Sequence, residues 1–264
     1  MDSLVVIDAH THFAEKGKGS PPNTPEELVA AMDKLRIDAM ITTPPYSSIS
    51  FDRTYDDANT FIYEAMKKYP DRIFGYVRVN PHLRKNAIES AEKFMKMGFL
   101  GVKFHPRNEA VAANDPVLVF PVMEKVEKLG GCVLFHTGQP DTYGFAQPTL
   151  CGDVADSFPS VPIIIGHMGK GLFDDAILVA KWFDNIILET SFRTTHNIEK
   201  AVKIIGPERV VYGSDFYMGG PFGPEIEMMK VKLADISKRE KEMILGDNIN
   251  RILKMGVTSH FEED

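Results

Sequence analysis

Short runs of β-branched and other apolar residues recur along this chain, and they alternate with segments that have helical periodicity. Eight such runs begin roughly 24 to 36 residues apart, which is the length of one strand–helix unit. The spacing therefore predicts eight parallel strands, each followed by a helix. The predicted strands are residues 4–7, 39–42, 73–79, 101–104, 132–135, 161–165, 185–188 and 209–212.

The alternation predicts an α/β fold, a closed (β/α)8 TIM barrel. An open doubly wound sheet has the same alternation, but no phosphate-binding glycine fingerprint follows the first run. A length of 264 residues suits one barrel, and no linker, repeat or low-complexity tract divides the sequence. We therefore predict that residues 1–264 form a single domain.

Local signals predict helix ends and loops. The sequence Thr24-Pro25-Glu26-Glu27 offers an N-cap hydroxyl, a proline at the first helical position and a capping-box glutamate. Asp115-Pro116 predicts a second helix start, and Gly130-Gly131 predicts the end of that helix. Irregular stretches at residues 13–23, 44–52, 138–151 and 216–223 each follow a predicted strand. Loops in that position form the active sites of barrels.

Composition excludes several classes of protein. The formal net charge of −7 argues against nucleic acid as a partner, because phosphate backbones require a basic patch. Two cysteines, Cys132 and Cys151, form neither a disulfide framework nor a CxxC motif. No stretch approaches the ~20 apolar residues of a membrane span, and the first apolar run is too short for a signal peptide. We expect a cytoplasmic protein with a small-molecule substrate and no membrane partner. Formation of a homodimer is left as an open alternative.

Polar residues at the ends of the predicted strands indicate a metal site. His10 and His12 follow the first strand two positions apart, His136 and His167 end the fifth and sixth, and Asp215 follows the eighth. A single histidine at a strand end is more often a hydrogen-bonded structural residue. Convergence of all five at one barrel mouth instead gives neutral imidazoles and a carboxylate, which are ligands for zinc or a similar divalent ion.

Four ordered motifs resemble the amidohydrolase superfamily, and most closely its amidohydrolase 2, or amidohydrolase-related, branch of metal-dependent hydrolases and decarboxylases. The motifs are DAHTH at residues 8–12, GHMG at 166–169, YGSD at 212–215 and DNINR at 247–251. This resemblance implies that His10, His12, His136 and Asp215 hold one divalent metal. It also implies that His167 is either a further metal ligand or a catalytic acid/base.

Lys103 and His105 end the fourth predicted strand and share one face. In two-metal members of the superfamily, a lysine at the end of the fourth strand is carbamylated and bridges the metals. Lys103 resembles that lysine in its position. The alternative is an ordinary amine that pairs with a carboxylate of the substrate or the protein, and this is what we expect. His105 is a possible metal bridge, substrate contact or neighbour of the ligands.

The expected reaction is hydrolysis of an amide, lactone or ester by water that a divalent metal activates, with Asp215 and His167 as catalytic residues. The alternative is non-oxidative decarboxylation, or hydration, of a small carboxylated substrate, and a metal-binding barrel without activity is the non-enzyme alternative. Zinc is the expected cofactor, as one ion or two, with manganese and iron as alternatives. Arg193 is the first candidate for binding a substrate carboxylate, and Arg107 is the second.

Overall fold

Eight parallel strands lie side by side in chain order in the computed structural model, which describes residues 4–17, 22–45, 53–138, 144–218, 220 and 222–261. Every strand pairs in parallel register with the next one along the chain. With helices after the strands, this order confirms the predicted TIM barrel. The strands are β1 (Ile7–His12), β2 (Ala39–Thr43), β3 (Ile73–Arg78), β4 (Gly101–Phe104), β5 (Cys132–Phe135), β6 (Ile163–Ile165), β7 (Ile186–Glu189) and β8 (Val210–Val211).

Most helices pack outside the strands, and short 3-10 and π turns interrupt some connections. Each of the four predicted long loops contains residues outside the described part of the chain. The α-helices are α1 (Pro25–Leu35), α2 (Asp56–Lys68), α3 (Lys85–Lys96), α4 (Pro106–Glu109), α5 (Phe120–Lys128), α6 (Pro148–Ser157), α7 (Phe173–Trp182), α8 (Thr195–Ile205), α9 (Gly223–Leu233), α10 (Lys238–Glu242) and α11 (Asn248–Leu253). In the described ranges, no helix combines the length and the apolar character that crossing a bilayer requires.

The helix-start signal is right at α1 and wrong at α5, whereas the predicted end of α5 at Gly130-Gly131 is confirmed. The Thr24 hydroxyl accepts a hydrogen bond from the Glu27 backbone N–H, and α1 begins at the following proline as predicted. The Asp115 carboxylate instead accepts hydrogen bonds from the backbone N–H groups of Val117 and Leu118, both at 2.8 Å. These bonds stabilise a turn, so α5 begins only at Phe120.

The first strand begins later than predicted. The apolar run at residues 4–7 suggested a strand that His10 and His12 would follow, but both histidines lie within β1. A β-bulge interrupts the register with β2, since Asp8 pairs with Met40 but Thr11 pairs with Thr42. A bulge reverses the alternation of side chains along a strand. Residues after this bulge can therefore face the barrel mouth although earlier ones fill the barrel interior.

The interior is apolar below the mouth, and every strand except β4 contributes at least one residue to this apolar cluster. Its buried side chains include Ile7, Ala9, Ala39, Ile41, Tyr76, Cys132, Leu134, Ile164, Ile187 and Val211. A second, larger core lies between the strands and the surrounding helices. The two apolar layers hold the strand ends rigidly, so that polar side chains at those ends keep fixed positions.

Contacts between β1 and the segment after β8 close the barrel. The Ala9 backbone N–H donates to the Tyr212 carbonyl at 3.0 Å, and the Asp215 N–H donates to the His10 carbonyl at 2.8 Å. The buried Asp8 carboxylate accepts hydrogen bonds from both the backbone N–H and the hydroxyl of Ser214. This closure brings the DAHTH and YGSD motifs to one edge, although Asp8 and Ser214 are 206 residues apart in sequence.

Candidate metal centre and active site

A cavity of about 350 Å³ opens at the carboxyl ends of the strands. Most of the side chains that were predicted to form a site line this cavity, and residues from the loops after β4, β6, β7 and β8 complete it. The lining residues are His10, His12, Lys103, His105, Arg107, Asn108, His136, His167, Lys170, Phe192, Asp215 and Met218. The predicted histidines and Asp215 are thus brought together in one place.

Three donor atoms converge closely, those of His10, His12 and Asp215. His12 Nε2 lies 2.9 Å and His10 Nε2 lies 3.4 Å from the same carboxylate oxygen, Asp215 Oδ1. All three side chains are buried, and their donor atoms lie within 4.8 Å of one another. Two imidazole nitrogens and a carboxylate oxygen form a donor set for a divalent transition metal. These residues therefore fit a divalent ion.

Burial sets the protonation states in this cluster. It lowers the pKa of His12, and it lowers those of His136 and His167 well below the ordinary value, so these imidazoles are neutral and able to bind a metal. Burial acts to raise the pKa of Asp215, but the neighbouring imidazoles of His10 and His12 outweigh it and hold that pKa well below its usual range. The carboxylate is therefore ionised.

Glu189, the last residue of β7, orients His10. Its Oε2 accepts a hydrogen bond from His10 Nδ1 at 3.0 Å, which fixes the proton on Nδ1 and leaves Nε2 for a metal. The same oxygen accepts hydrogen bonds from the His167 backbone N–H at 3.0 Å and the Ser191 hydroxyl at 2.8 Å. The other oxygen accepts one from the Ser191 N–H. Sequence reasoning missed Glu189, although a glutamate at the end of an otherwise apolar strand was the available signal.

A second cluster of possible ligands consists of His10, His167 and Glu189. It fits a metal less well, because hydrogen-bond donors already saturate the Glu189 carboxylate. His167 Nδ1 is likewise engaged, at 2.6 Å from the Ser191 hydroxyl. Of these two clusters, His10, His12 and Asp215 therefore fit a divalent ion better, with Glu189 behind them.

Two of the predicted site residues have a strained backbone. His167 has a φ of 62° and Asp215 a φ of 52°, in the left-handed region that residues with a Cβ rarely adopt. Such a conformation costs about 1–3 kcal/mol and persists where surrounding contacts enforce it. The Glu189 carboxylate enforces it at His167, and the His10 carbonyl enforces it at Asp215. Strain at two neighbouring cavity residues is typical of a functional site.

His136 and His105 form the opposite wall of the cavity. Their rings stack with centroids 3.8 Å apart, and His136 Nδ1 lies 3.0 Å from His167 Nε2. In the described part of the chain, the tightest donor groups do not include His136. Its predicted role as a metal ligand therefore stays a prediction, as does a role for His105.

Lys103 lies at the floor of the cavity, with its Nζ 3.0 Å from His10 Nε2. Burial lowers the pKa of Lys103 to about 7, against the opposing effect of the Asp215 carboxylate. The fully buried Arg78 is its partner in register on β3, and that guanidinium pairs with Glu109 at 2.9 Å. An amine with so low a pKa is available in its neutral form, which carbamylation requires, but whether it is modified stays a prediction.

Further cations surround the cavity. Arg107 lines it, as does Lys170, whose Nζ lies 4.7 Å from the centre of the Phe192 ring. Sequence reasoning missed Lys170. Arg193 is half-buried with its Nε enclosed, and it is not among the lining residues described above. Of the two predicted arginines, Arg107 is the one that the structure places at the cavity.

Residues 7–255 match the family model described as amidohydrolase. The chain belongs to the amidohydrolase 2 family. The match covers nearly all of the chain and includes every motif that suggested the family, so the resemblance drawn from those motifs is confirmed. It also agrees with the barrel and with the position of the cavity at its mouth.

Two curated relatives are each 25% identical to this chain. One is 4-sulfomuconolactone hydrolase from Rhizobium radiobacter, with 93% of this chain and 88% of the relative covered. The other is gamma-resorcylate decarboxylase from Polaromonas sp. strain JS666, with 72% and 76% covered. A solved structure, dihydroxybenzoic acid decarboxylase from Polaromonas sp. JS666 with bound manganese and the inhibitor 2-nitroresorcinol, has the same fold. It aligns with a TM-score of 0.73 and 17% identity over 99% of this chain and 100% of that one.

Proposed function

We propose that this protein is a divalent-metal-dependent decarboxylase that acts on a small carboxylated aromatic compound. The observation that carries the proposal is the chemistry of the cavity, where the side chains of Arg107 and Lys170 lie beside the metal-ligand cluster. These two cations favour an anionic substrate. Hydrolysis was the leading prediction from sequence, but the decarboxylase names among the relatives favour the alternative reading.

The proposed metal is manganese or zinc, held by His10, His12 and Asp215. A divalent ion in this position supplies a Lewis acid for a carboxylate or phenolate oxygen. Manganese is bound in the structure of the dihydroxybenzoic acid decarboxylase, and two nitrogens with one oxygen also suit zinc.

The chain's own residues bind and orient the substrate. Arg107 and Lys170 offer charge-assisted hydrogen bonds to its carboxylate. Phe192, whose ring centroid lies 5.4 Å from that of His167, offers a face on which an aromatic ring can stack. Together these contacts would place the ring carbon that bears the carboxylate above the ligand cluster.

Decarboxylation then requires one proton at that ring carbon. We assign its delivery to Asp215, whose Oδ1 contacts the two imidazoles. Because this carboxylate is ionised in the free protein, it would first take up one proton from solvent and then pass that proton to the ring carbon. The new C–H bond forms, the bond from the ring to the carboxylate breaks, and its electron pair returns to the ring as carbon dioxide leaves. His167 positions His136 beside the substrate.

Lactone hydrolysis is the second candidate, because the hydrolase relative covers more of this chain than the decarboxylase relative does. The same carboxylate would then accept a proton from water instead of donating one to carbon. The two reactions have different products, so a direct assay separates them.

The test uses purified protein loaded with Mn²⁺ or with Zn²⁺ and incubated with dihydroxybenzoates, with carboxyvanillate and with a muconolactone. The proposal predicts release of carbon dioxide in equal amount with the decarboxylated phenol. Asp215→Asn is the inactive control. Lactone opening without carbon dioxide from any of the aromatic acids would refute the decarboxylase proposal and favour the hydrolase.

A further inference from the structure

Helix α9 carries a row of large apolar side chains on its outer face. Phe222 at its N-cap and Ile226, Met229 and Leu233 within it are exposed by 64%, 52%, 44% and 70%. Their spacings of four, three and four residues place them on one stripe, which runs the whole length of the helix. We call these four residues the α9 stripe.

The α9 stripe is not part of the barrel core. Met228 and Val231 already pack the inner face of the helix against the barrel. A surface helix normally has one apolar face and a polar opposite face. Helix α9 is apolar on both, and contiguous exposed apolar surface marks an interaction site.

A groove adjoins the N-terminal end of the stripe. It has a volume of about 400 Å³ and lies between α1 and α9, with Ala31, Leu35, Phe216 and Phe222 among its lining residues. Phe222 belongs both to the groove and to the stripe. The apolar surface is therefore continuous from α9 to α1.

We propose that a second copy of this chain covers the stripe, with the two α9 helices packed antiparallel across a twofold axis. The spacing is that of a heptad seam, which packs against another such seam. With the axis between Ile226 and Met229, Ile226 of each copy faces Met229 of the other. Phe222 then faces Leu233 of the second copy, and this leucine would lie at the mouth of the groove, which Phe222 lines.

Charges beside the stripe favour the same arrangement. Glu225 and Lys232 are both exposed, and their spacing of seven residues places them on the same side of the stripe. In an antiparallel pair, residues flanking a seam face their equivalents in the other helix. Glu225 of each copy would thus meet Lys232 of the other, giving two opposite-charge pairs. A parallel pair would not bring Glu225 and Lys232 together.

The first test measures molar mass by light scattering and by sedimentation at micromolar concentration. We expect twice the monomer mass for the native chain and the monomer mass for Met229→Glu. Trp182→Glu is the matched control, because Trp182 on α7 is 68% exposed and lies outside the stripe. This control should remain dimeric. A monomeric native chain, or a dimer that Met229→Glu leaves intact, would overturn the proposal.

The second test exchanges the charges and probes the orientation. Glu225→Lys and Lys232→Glu each create two like-charge contacts, and each should raise the dimer dissociation constant by roughly tenfold. The double variant restores both pairs and should return the constant to near its native value. Equal weakening in the double variant and the single variants would refute the antiparallel arrangement. Circular dichroism of each variant checks that the barrel is folded, and neither test depends on the catalysed reaction.

Discussion

Substitution of Glu189 by glutamine tests whether Glu189 supports metal binding by orienting His10. The Glu189 carboxylate accepts four hydrogen bonds. Its Oε2 accepts three, from His10 Nδ1, the His167 N–H and the Ser191 hydroxyl. Its Oε1 accepts the fourth, from the Ser191 N–H. A glutamine side chain has one acceptor oxygen and one NH₂ donor. Either orientation of the amide therefore sets its NH₂ group against a backbone N–H.

The expected cost can be worked out from these contacts. A buried donor that loses its acceptor costs about 1–3 kcal/mol. Loss of a hydrogen-bond partner behind a metal-binding histidine typically weakens metal affinity about 10–100-fold, or by about 1.4–2.7 kcal/mol. The two ranges agree, so we expect Glu189→Gln to raise the metal dissociation constant by one to two orders of magnitude, as well as to lower stability.

The assay is competition for Mn²⁺ or Zn²⁺ with a chromophoric chelator, which measures affinity without any turnover. Glu227→Gln is the control, because Glu227 is also buried but pairs with Lys230 on α9, at 2.6 Å. The control should keep native metal affinity. Native affinity in Glu189→Gln would refute the assignment of Glu189 as the residue that orients His10.

Four further predictions follow from the same site. Replacing His10 and His12 together with alanine should remove the divalent ion while the barrel remains folded, and full metal content in elemental analysis would show that the pair is not the ligand set. Asp215→Asn should lower kcat per bound metal by about 10²–10⁴, whereas a value within a few-fold of native would move the proton-transfer role to His167. Gly213→Ala should weaken metal binding as Glu189→Gln does, because a Cβ at Gly213 would lie 2.5 Å from Glu189 Oε1, and unchanged affinity would argue against this coupling. Lys103 should be an ordinary amine in the metal-loaded crystal, and density for a carboxylated lysine bridging two ions would contradict that expectation.

The order of strands and the position of the site could be predicted because both depend on patterns that are local in sequence. Apolar runs alternate with helical segments, and in a parallel barrel all carboxyl ends of strands meet at one mouth. His136 and His167 could therefore be placed at that mouth without any knowledge of contacts.

Other features depend on contacts between distant residues, which no local pattern encodes. The bulge in β1 allows polar residues to continue the strand beyond its apolar run, so the end of this strand was predicted too early. Glu189 acquires its role from His10, which is 179 positions away. A single glutamate at the end of a strand gives no sign in sequence of the partner that it will contact.

The central claim is that His10, His12 and Asp215 together bind one divalent ion. Anomalous diffraction from crystals grown with Mn²⁺ tests it most directly, since the signal locates the ion independently of any assumed mechanism. The account predicts one strong peak bonded to His10 Nε2, His12 Nε2 and Asp215 Oδ1, with Glu189 still on His10 Nδ1. A peak bonded to His167 and Glu189 instead, or no peak at the barrel mouth, would contradict it.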